Sequence, residues 1–156
     1  MCGKETESLA HLLAGCQSLA QTKYLERHNA ALKVVFFELL KDLKLTDKVP
    51  PWFSEVKPKP IYKSADAEAY WDVPVFAEHT FVRSNRVDAS IIDHKSKVVI
   101  MLEMSCPWVE NRHKKNTEKT EKYGPLRLEL TRQHQGYKLI QLNVIMDVLR
   151  GWSKDL

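Results

Sequence analysis

Two short apolar runs on either side of a polar break form the clearest pattern along this chain. The first run is Ala-Ser-Ile-Ile-Asp at 89–93, the break is His-Lys-Ser-Lys at 94–97, and the second run is Val-Val-Ile-Met-Leu at 98–102. β-Branched runs joined by a four-residue polar connection are typical of a β-hairpin. Because both runs are apolar on both faces, they predict central strands that are covered on both sides.

The predicted hairpin would bring two acidic residues opposite each other. If Asp93 pairs with Val98, the same register pairs Asp88 with Glu103, with Cβ atoms about 4.5–5.5 Å apart. Carboxylates at that distance repel one another, so the arrangement favours a bound cation, and Mg²⁺ prefers oxygen ligands. A register shifted by one residue would place the acids on opposite faces, and acids on a hairpin are more often solvated. The apolar surroundings favour the metal site, because an acid in a buried strand needs a partner.

The remaining pattern predicts an α/β fold. Helical periodicity covers 17–45 and, in a highly charged form, 109–134, whereas alternation at 137–146 predicts a closing strand. Prolines between 50 and 60 predict a linker or extended cover, and a first strand is expected within 70–82. The order of these elements predicts a mixed sheet flanked by helices. We divide the chain into a helical segment at 1–49, a Pro-rich linker at 50–69 and a sheet-containing domain at 70–156.

Lysines share one face of the helix that is predicted after the hairpin. Lys115, Lys119 and Lys122 are four and three residues apart, which places them on one side of a helix. Such a stripe is commonly a solvated surface. Beside a carboxylate pair, one lysine could instead polarise a phosphate or orient an attacking water whose pKa a metal lowers.

Composition narrows the class of protein. The chain has 156 residues, of which 44% are hydrophobic and 28% charged, as in ordinary folded proteins. It has no apolar run that could cross a bilayer and no signal-peptide pattern, so we expect an intracellular protein without a membrane partner. The net charge of +4 permits a nucleic-acid partner without establishing one. Three cysteines argue against a disulfide framework.

Cys2, His11 and Cys16 have the spacing of the last three ligands of a zinc knuckle. Tetrahedral zinc needs four ligands, and Cys106 is remote in sequence. The three residues could equally be ordinary members of a helix. Because the sequence starts inside the pattern, we expect the missing cysteine upstream of Met1, and for this chain weak Zn²⁺ binding or none.

Taken together, these residues resemble the C-terminal part of the polyprotein of site-specific non-LTR retrotransposons, which carries a restriction-enzyme-like endonuclease after the reverse transcriptase. The matching motifs occur in the family's order: the partial knuckle, Trp71-Asp72, Arg86-Val87-Asp88, Glu103, Pro107 and Asn111, and the lysine face ending in Tyr123. Val87 replaces the family's proline, and Val109 stands where an acid is common. The Tyr-x-Asp-Asp motif of a reverse transcriptase is absent from these residues, so we expect a fragment or remnant of a larger element.

The resemblance implies a PD-(D/E)xK restriction-endonuclease-like fold, in which Asp88 and Glu103 bind Mg²⁺ or Mn²⁺. Ser105 occupies the strand position where the general motif has lysine, so the helix would supply the catalytic lysine. Lys119 and Lys122 are the first choices for this role, and Lys115 is the third.

The resemblance also implies a nucleic-acid partner. Arg86, Asn111 and Tyr123 would contact DNA, and the hairpin register would place Arg86 opposite Ser105 on the face of the acids. Element RNA is a further candidate partner, and a nuclear location is expected. The implied function is metal-dependent nicking of DNA. The alternatives are a catalytically inactive nucleic-acid-binding remnant and a helical protein-interaction module built on the apolar stripe at 32–43.

Overall fold

A computed structural model describes residues 8–78, 81–149 and 151. The strands of its one five-stranded sheet are β1 Ile61–Lys63, β2 Ala67–Trp71, β3 Ala89–Asp93, β4 Val98–Ser105 and β5 Lys138–Ile145. The α-helices are α1 Gln17–Leu19, α2 Leu25–Asp42, α3 Arg112–Lys122 and α4 Gly124–Gln133. Two π-helical turns, at His11–Gly15 and Ala20–Tyr24, flank α1, and a 3₁₀ turn at Val109–Asn111 leads into α3. The predicted α/β class, with a mixed sheet and an N-terminal helical segment, is confirmed.

The strands lie in the sheet in their order along the chain. β1 to β4 are antiparallel neighbours, and β5 returns after α3 and α4 to lie parallel to β4, as a parallel pair requires a crossover. Asp93 pairs with Val98, so the predicted hairpin register is confirmed. The Asp93 carboxylate accepts the backbone N–H groups of Lys95 at 3.0 Å and Ser96 at 2.9 Å. These bonds give two backbone N–H groups of the turn a partner within the turn itself. They fix where the two strands begin to pair.

α2 covers one face of the sheet. Its buried residues Leu32, Phe36 and Leu40 pack against Ala69 of β2 and Ile91 of β3. Alanines on β2 and β3 leave room for the bulky helical side chains. The apolar face at 32–43, which the interaction-module hypothesis would offer to a partner, is therefore in contact with the chain's own sheet.

The other face of the sheet is covered by α3 and α4. Met101 of β4 and Val87 form a second buried cluster with Tyr123, Leu126 and Leu130. With helices on both faces, the central strands are covered on both sides, as their apolar runs predict.

The segment boundaries differ from the predicted ones. The 50–69 segment, predicted as a linker, supplies β1 and the start of β2, so the β1–β2 hairpin crosses the expected boundary. The strand expected within 70–82 is limited to the end of β2 and one isolated bridge from Pro74 to Arg86. The helix predicted at 109–134 breaks at Tyr123, because Pro125 lacks an N–H and fits only the first turn of the following α4.

Glu68 lies in a network of polar side chains at the edge of the sheet. Its carboxylate accepts a hydrogen bond from the Tyr70 hydroxyl and binds the Lys63 ammonium at 2.9 Å and His94 Nε2 at 3.3 Å. The Tyr70 hydrogen bond, followed by that of Lys63, lowers the pKa of Glu68 to about 2.

This shift predicts how stability depends on pH. The folded pKa of Glu68 lies below its ordinary value of 4.5, so its contribution is complete at neutral pH and is lost as the pH falls from about 4.5 toward 2. We expect Glu68→Gln to reduce the free energy of unfolding at pH 7 and to matter much less at pH 3. Urea unfolding at the two pH values measures the difference. Glu38→Gln, an exposed change on α2, should show no such trend.

Candidate active site

The structure brings Asp88 and Glu103 together at one end of the β3–β4 hairpin. The Asp88 backbone N–H donates to Glu103 Oε1 at 3.1 Å, and Asp88 Oδ2 accepts the Met104 N–H at 2.7 Å. Each acid is thus tied to the other's strand. The β3–β4 register ends at the pair of Ala89 and Leu102, so the contact between Asp88 and Glu103 lies one residue beyond the last pair.

Glu103 is the buried member of the pair. Its side chain is 1% exposed, and its Oε2 forms an ion pair with the Lys119 ammonium of α3. Burial, and then the charge of Asp88, raise the pKa of Glu103 more than Lys119 and Tyr123 lower it. A carboxylate in such a place needs a cation or a proton, and α3 supplies one cation.

Asp88 is the more accessible acid, with 24% of its side chain exposed. Burial opposes its ionisation, but the hydrogen bond and charge of His28 together with the Met104 amide outweigh burial and lower the pKa of Asp88. The two neighbouring carboxyls are therefore shifted in opposite directions. Such a split is typical of functional carboxylate pairs.

His28 of α2 completes the surroundings of Asp88. Its Nε2 lies 3.1 Å from Asp88 Oδ2 and 3.2 Å from the Met104 carbonyl oxygen. A carbonyl oxygen only accepts, so Nε2 carries a proton and donates to both. Burial lowers the pKa of His28, but Asp88 and Asn29 raise it by more, so the net shift is upward.

Sequence analysis missed His28. Its partner Asp88 is 60 residues away along the chain, and nothing local to α2 indicates that contact. The one available signal is a polar residue next to the apolar stripe of a helix, which is common on any helix.

Tyr123 is buried next to Glu103. Its side chain is 2% exposed and its hydroxyl donates to the Arg86 carbonyl oxygen at 3.1 Å. Burial, followed by the charge of Glu103, raises the pKa of Tyr123. The prediction that Tyr123 contacts nucleic acid is therefore wrong, because the packing of α3 against the sheet covers its ring. Lys122 lies over that ring, with Nζ 4.5 Å from the centroid and 2.9 Å from the hydroxyl oxygen.

Arg86 does not face Ser105, and that prediction is wrong. β3–β4 pairing stops at Ala89, Ser105 pairs with Ile145, and Arg86 forms its bridge with Pro74. The guanidinium binds the Asp72 carboxylate at 2.6 Å on the exposed surface. The chain before Ala89 thus follows the loop after β2 and no longer follows β4.

Two other predicted residues, Lys115 and Asn111, lie on α3 and on the turn before it. Lys115 points along α3 to Glu118, with its Nζ 2.6 Å from Oε2, and makes no ion pair with Asp88 or Glu103. Asn111 is exposed at the end of the 3₁₀ turn that leads into α3. Both remain accessible to a ligand that approaches α3.

The three lysines border an open cleft next to Glu103. Lys115, Lys119 and Lys122 form one side of it, and Ser105 and Cys106, at the end of β4, form another. The predicted lysine face thus lies along a cavity wall, and its member Lys119 reaches Glu103. Such a surface suits an anionic ligand that reaches the carboxylates.

The predicted zinc ligands are only partly within the described residues. Cys2 lies outside them. His11 and Cys16 are both buried, and the Cys16 N–H donates to the His11 carbonyl oxygen at 2.7 Å. Across residues 8–78, 81–149 and 151, no group of three or more His, Cys, Asp or Glu residues is placed to hold a metal ion.

Comparison with protein-family models, with curated proteins and with solved structures finds no match to this chain. The likeness to retrotransposon endonucleases therefore stays a prediction from the motifs. No helix within the described ranges is both long enough and apolar enough to pass through a bilayer.

Proposed function

We propose that this chain is a metal-dependent DNA endonuclease of the PD-(D/E)xK type, derived from a non-LTR retrotransposon polyprotein, that nicks one DNA strand. The observation that carries the proposal is the convergence of Asp88, Glu103 and Lys119, of which Lys119 also borders an open cleft lined by Lys115 and Lys122. Two carboxylates and an ammonium group are the protein groups that phosphodiester hydrolysis with a divalent ion requires.

The donor set suits Mg²⁺ or Mn²⁺. Magnesium is commonly held by one or two carboxylates, with substrate phosphates and water completing its shell. Asp88 is partly exposed, and its Oδ1 accepts none of the hydrogen bonds found among the described residues. Asp88 and Glu103 would bind the ion, which when bound would polarise the phosphate and activate a water for attack.

The chain's own groups have separate roles in this proposal. Lys119 supplies a positive charge next to Glu103, where charge develops on the scissile phosphate. His28 fixes the orientation of the Asp88 carboxylate through its Nε2 proton. Lys115 and Lys122 neutralise phosphates as the strand enters the cleft.

A plasmid assay tests the proposal. Supercoiled DNA incubated with the purified chain and Mg²⁺ or Mn²⁺ should convert to open circles, and EDTA should stop the conversion. Asp88→Ala should lower the nicking rate by more than about 10³-fold, because it removes the accessible metal ligand. Asp72→Asn is the control, since it removes the charge of a nearby but exposed acid that pairs with Arg86 and keeps a residue type that tolerates the positive φ at this position. Equal nicking by the parent chain and Asp88→Ala would indicate a contaminating nuclease and contradict the proposal.

One observation favours the inactive nucleic-acid-binding remnant as a second candidate. Each carboxylate already has a basic side chain from the protein as its partner, Lys119 for Glu103 and His28 for Asp88. A site that is satisfied in this way could keep the fold without binding a metal. The remnant would shift the mobility of DNA without nicking it, with an affinity that falls steeply as salt rises.

A further inference from the structure

Two exposed aromatic side chains stand next to each other on the segment between α2 and β1. Trp52 and Phe53 are 76% and 72% exposed, and their ring centroids are 5.7 Å apart. They follow Pro50 and Pro51, which restrict the backbone on their N-terminal side. Exposed rings on a restricted backbone are a suitable platform for stacking unpaired bases, because every base has a π-face.

Lysines outnumber acids in the segment that carries this aromatic pair. Lys48, Lys57 and Lys59 are exposed within the 48–60 segment, whose one acid is Glu55. Aromatic rings interspersed with lysines are typical of surfaces that follow the backbone of a single strand. The charge therefore complements a polyanion better than it complements an apolar protein surface.

A groove leads from this segment to the candidate active site. It lies between α2 and residues 54–58, and the Lys33 ammonium donates to the Ser54 carbonyl oxygen across it. Leu25, Asn29 and Trp71 line its inner end. The same three residues also line a smaller cleft that contains His28 and Asp88. Trp52 and Phe53 directly precede the residues that line the groove, and the accessible carboxylate lines the adjoining cleft.

We propose that this groove binds a single strand of DNA adjacent to the cleavage point, with unpaired bases stacked on Trp52 and Phe53. The inference rests on the proposed nuclease function and specifies its substrate. A uniform duplex keeps its bases stacked inside the helix and offers none to the rings. The preferred substrate therefore has an unpaired strand next to the cut, as a flap or a single-strand–duplex junction has.

Binding measured without cleavage tests the proposal. The probes are a fluorescein-labelled oligo(dT) of about 12 nucleotides and a duplex of the same length, titrated with the full chain in EDTA and followed by anisotropy. We expect the chain to prefer oligo(dT). Trp52→Ala/Phe53→Ala should weaken oligo(dT) binding by at least about tenfold and change duplex binding by less than about twofold.

Three further variants sharpen the test. Trp52→Phe keeps a stacking ring and should retain most of the affinity for oligo(dT). Lys57→Ala should reduce the slope of log affinity against log salt by about one. Phe76→Ala is the matched control, because Phe76 is 78% exposed but lies beside α4, where its carbonyl oxygen accepts a hydrogen bond from Gln133 at 2.8 Å.

Two results would overturn the proposal. One is binding of oligo(dT) that the double substitution leaves unchanged. The other is self-association in sedimentation that the double substitution abolishes, since the rings would then dock a second copy of the chain. The nuclease proposal is judged separately by plasmid nicking: ring-dependent binding without nicking contradicts only the nuclease, and nicking without ring dependence contradicts only the groove.

Discussion

Lys119→Met is expected to lower the rate of DNA nicking by more than about 100-fold while DNA affinity falls by less than about tenfold. The Lys119 ammonium is bound to the buried Glu103 and borders the cleft. A fixed positive charge there stabilises the transition state more than the bound substrate, so its loss lowers the rate much more than binding. Single-turnover nicking and anisotropy measure the two quantities.

The same substitution should also destabilise the fold. Glu103 is 1% exposed, and without Lys119 it would be a buried carboxylate lacking its cation, which costs about 3 kcal/mol or more when the group stays ionised. Because burial already raises the pKa of Glu103, protonation relieves this cost, so the loss should be larger at pH 8 than at pH 5. Glu103→Gln/Lys119→Met removes both charges and should recover stability without recovering nicking.

Lys115→Met is the matched control on the same helix. Lys115 borders the same cleft, but its ammonium pairs with Glu118 on the exposed surface. Its loss should weaken DNA binding as the loss of one phosphate contact does, but change the single-turnover nicking rate of bound DNA by less than about threefold, because its ammonium contacts neither Asp88 nor Glu103. If Lys115→Met and Lys119→Met reduced nicking equally, the lysines would act only as a diffuse positive surface, and the specific role of Lys119 would be contradicted.

The carboxylate pair could be predicted because a hairpin is a local structure. A short polar turn and two apolar runs fix one register, and Asp93 binds the turn amides at the place where pairing begins. Once Asp93 pairs with Val98, counting residues brings Asp88 next to Glu103, one residue beyond the last pair of the ladder, Ala89 with Leu102. The lysine face could be predicted for the same reason, since helical spacing alone puts Lys119 and Lys122 on one side.

Counting residues along the hairpin gave a wrong partner for Arg86, because the pairing of β3 with β4 ends before that residue. The β3–β4 ladder stops at Ala89, and upstream of it the chain pairs with the loop after β2. Asp72, the partner of Arg86, has a positive φ of 53°, which reverses the chain just after β2. No pattern in the sequence marks where one pairing gives way to the other.

Contacts between distant segments were the part that could not be predicted. His28 reaches Asp88 because α2 packs across the sheet, and the prolines after α2 suggested a linker where β1 in fact begins. Proline restricts the backbone locally but does not determine whether the following residues join a sheet. Placing α2 required the shapes of both surfaces, above all the alanines opposite Phe36.

The core that α2 shares with the sheet is where a substitution has the largest expected effect on stability. Phe36→Ala should lower the free energy of unfolding by about 3–5 kcal/mol. Phe36 is 0% exposed, and its ring lies 5.1 Å from that of Trp71 and 6.0 Å from that of Tyr62. The substitution leaves a cavity between α2 and the β1–β2 hairpin. Since α2 also carries His28, nicking should fall along with stability, as urea denaturation and the plasmid assay would show.

Leu25→Ala separates the loss of this core from a general weakening of α2. Leu25 begins the same helix but is 47% exposed, so its replacement should change the free energy of unfolding by less than about 0.5 kcal/mol. If residues 1–49 formed an independent segment, Phe36→Ala would unfold α2 and leave a second, unchanged transition for the sheet. A single transition shifted to lower urea concentration is expected instead, because Phe36, Trp71 and Ile91 belong to one core.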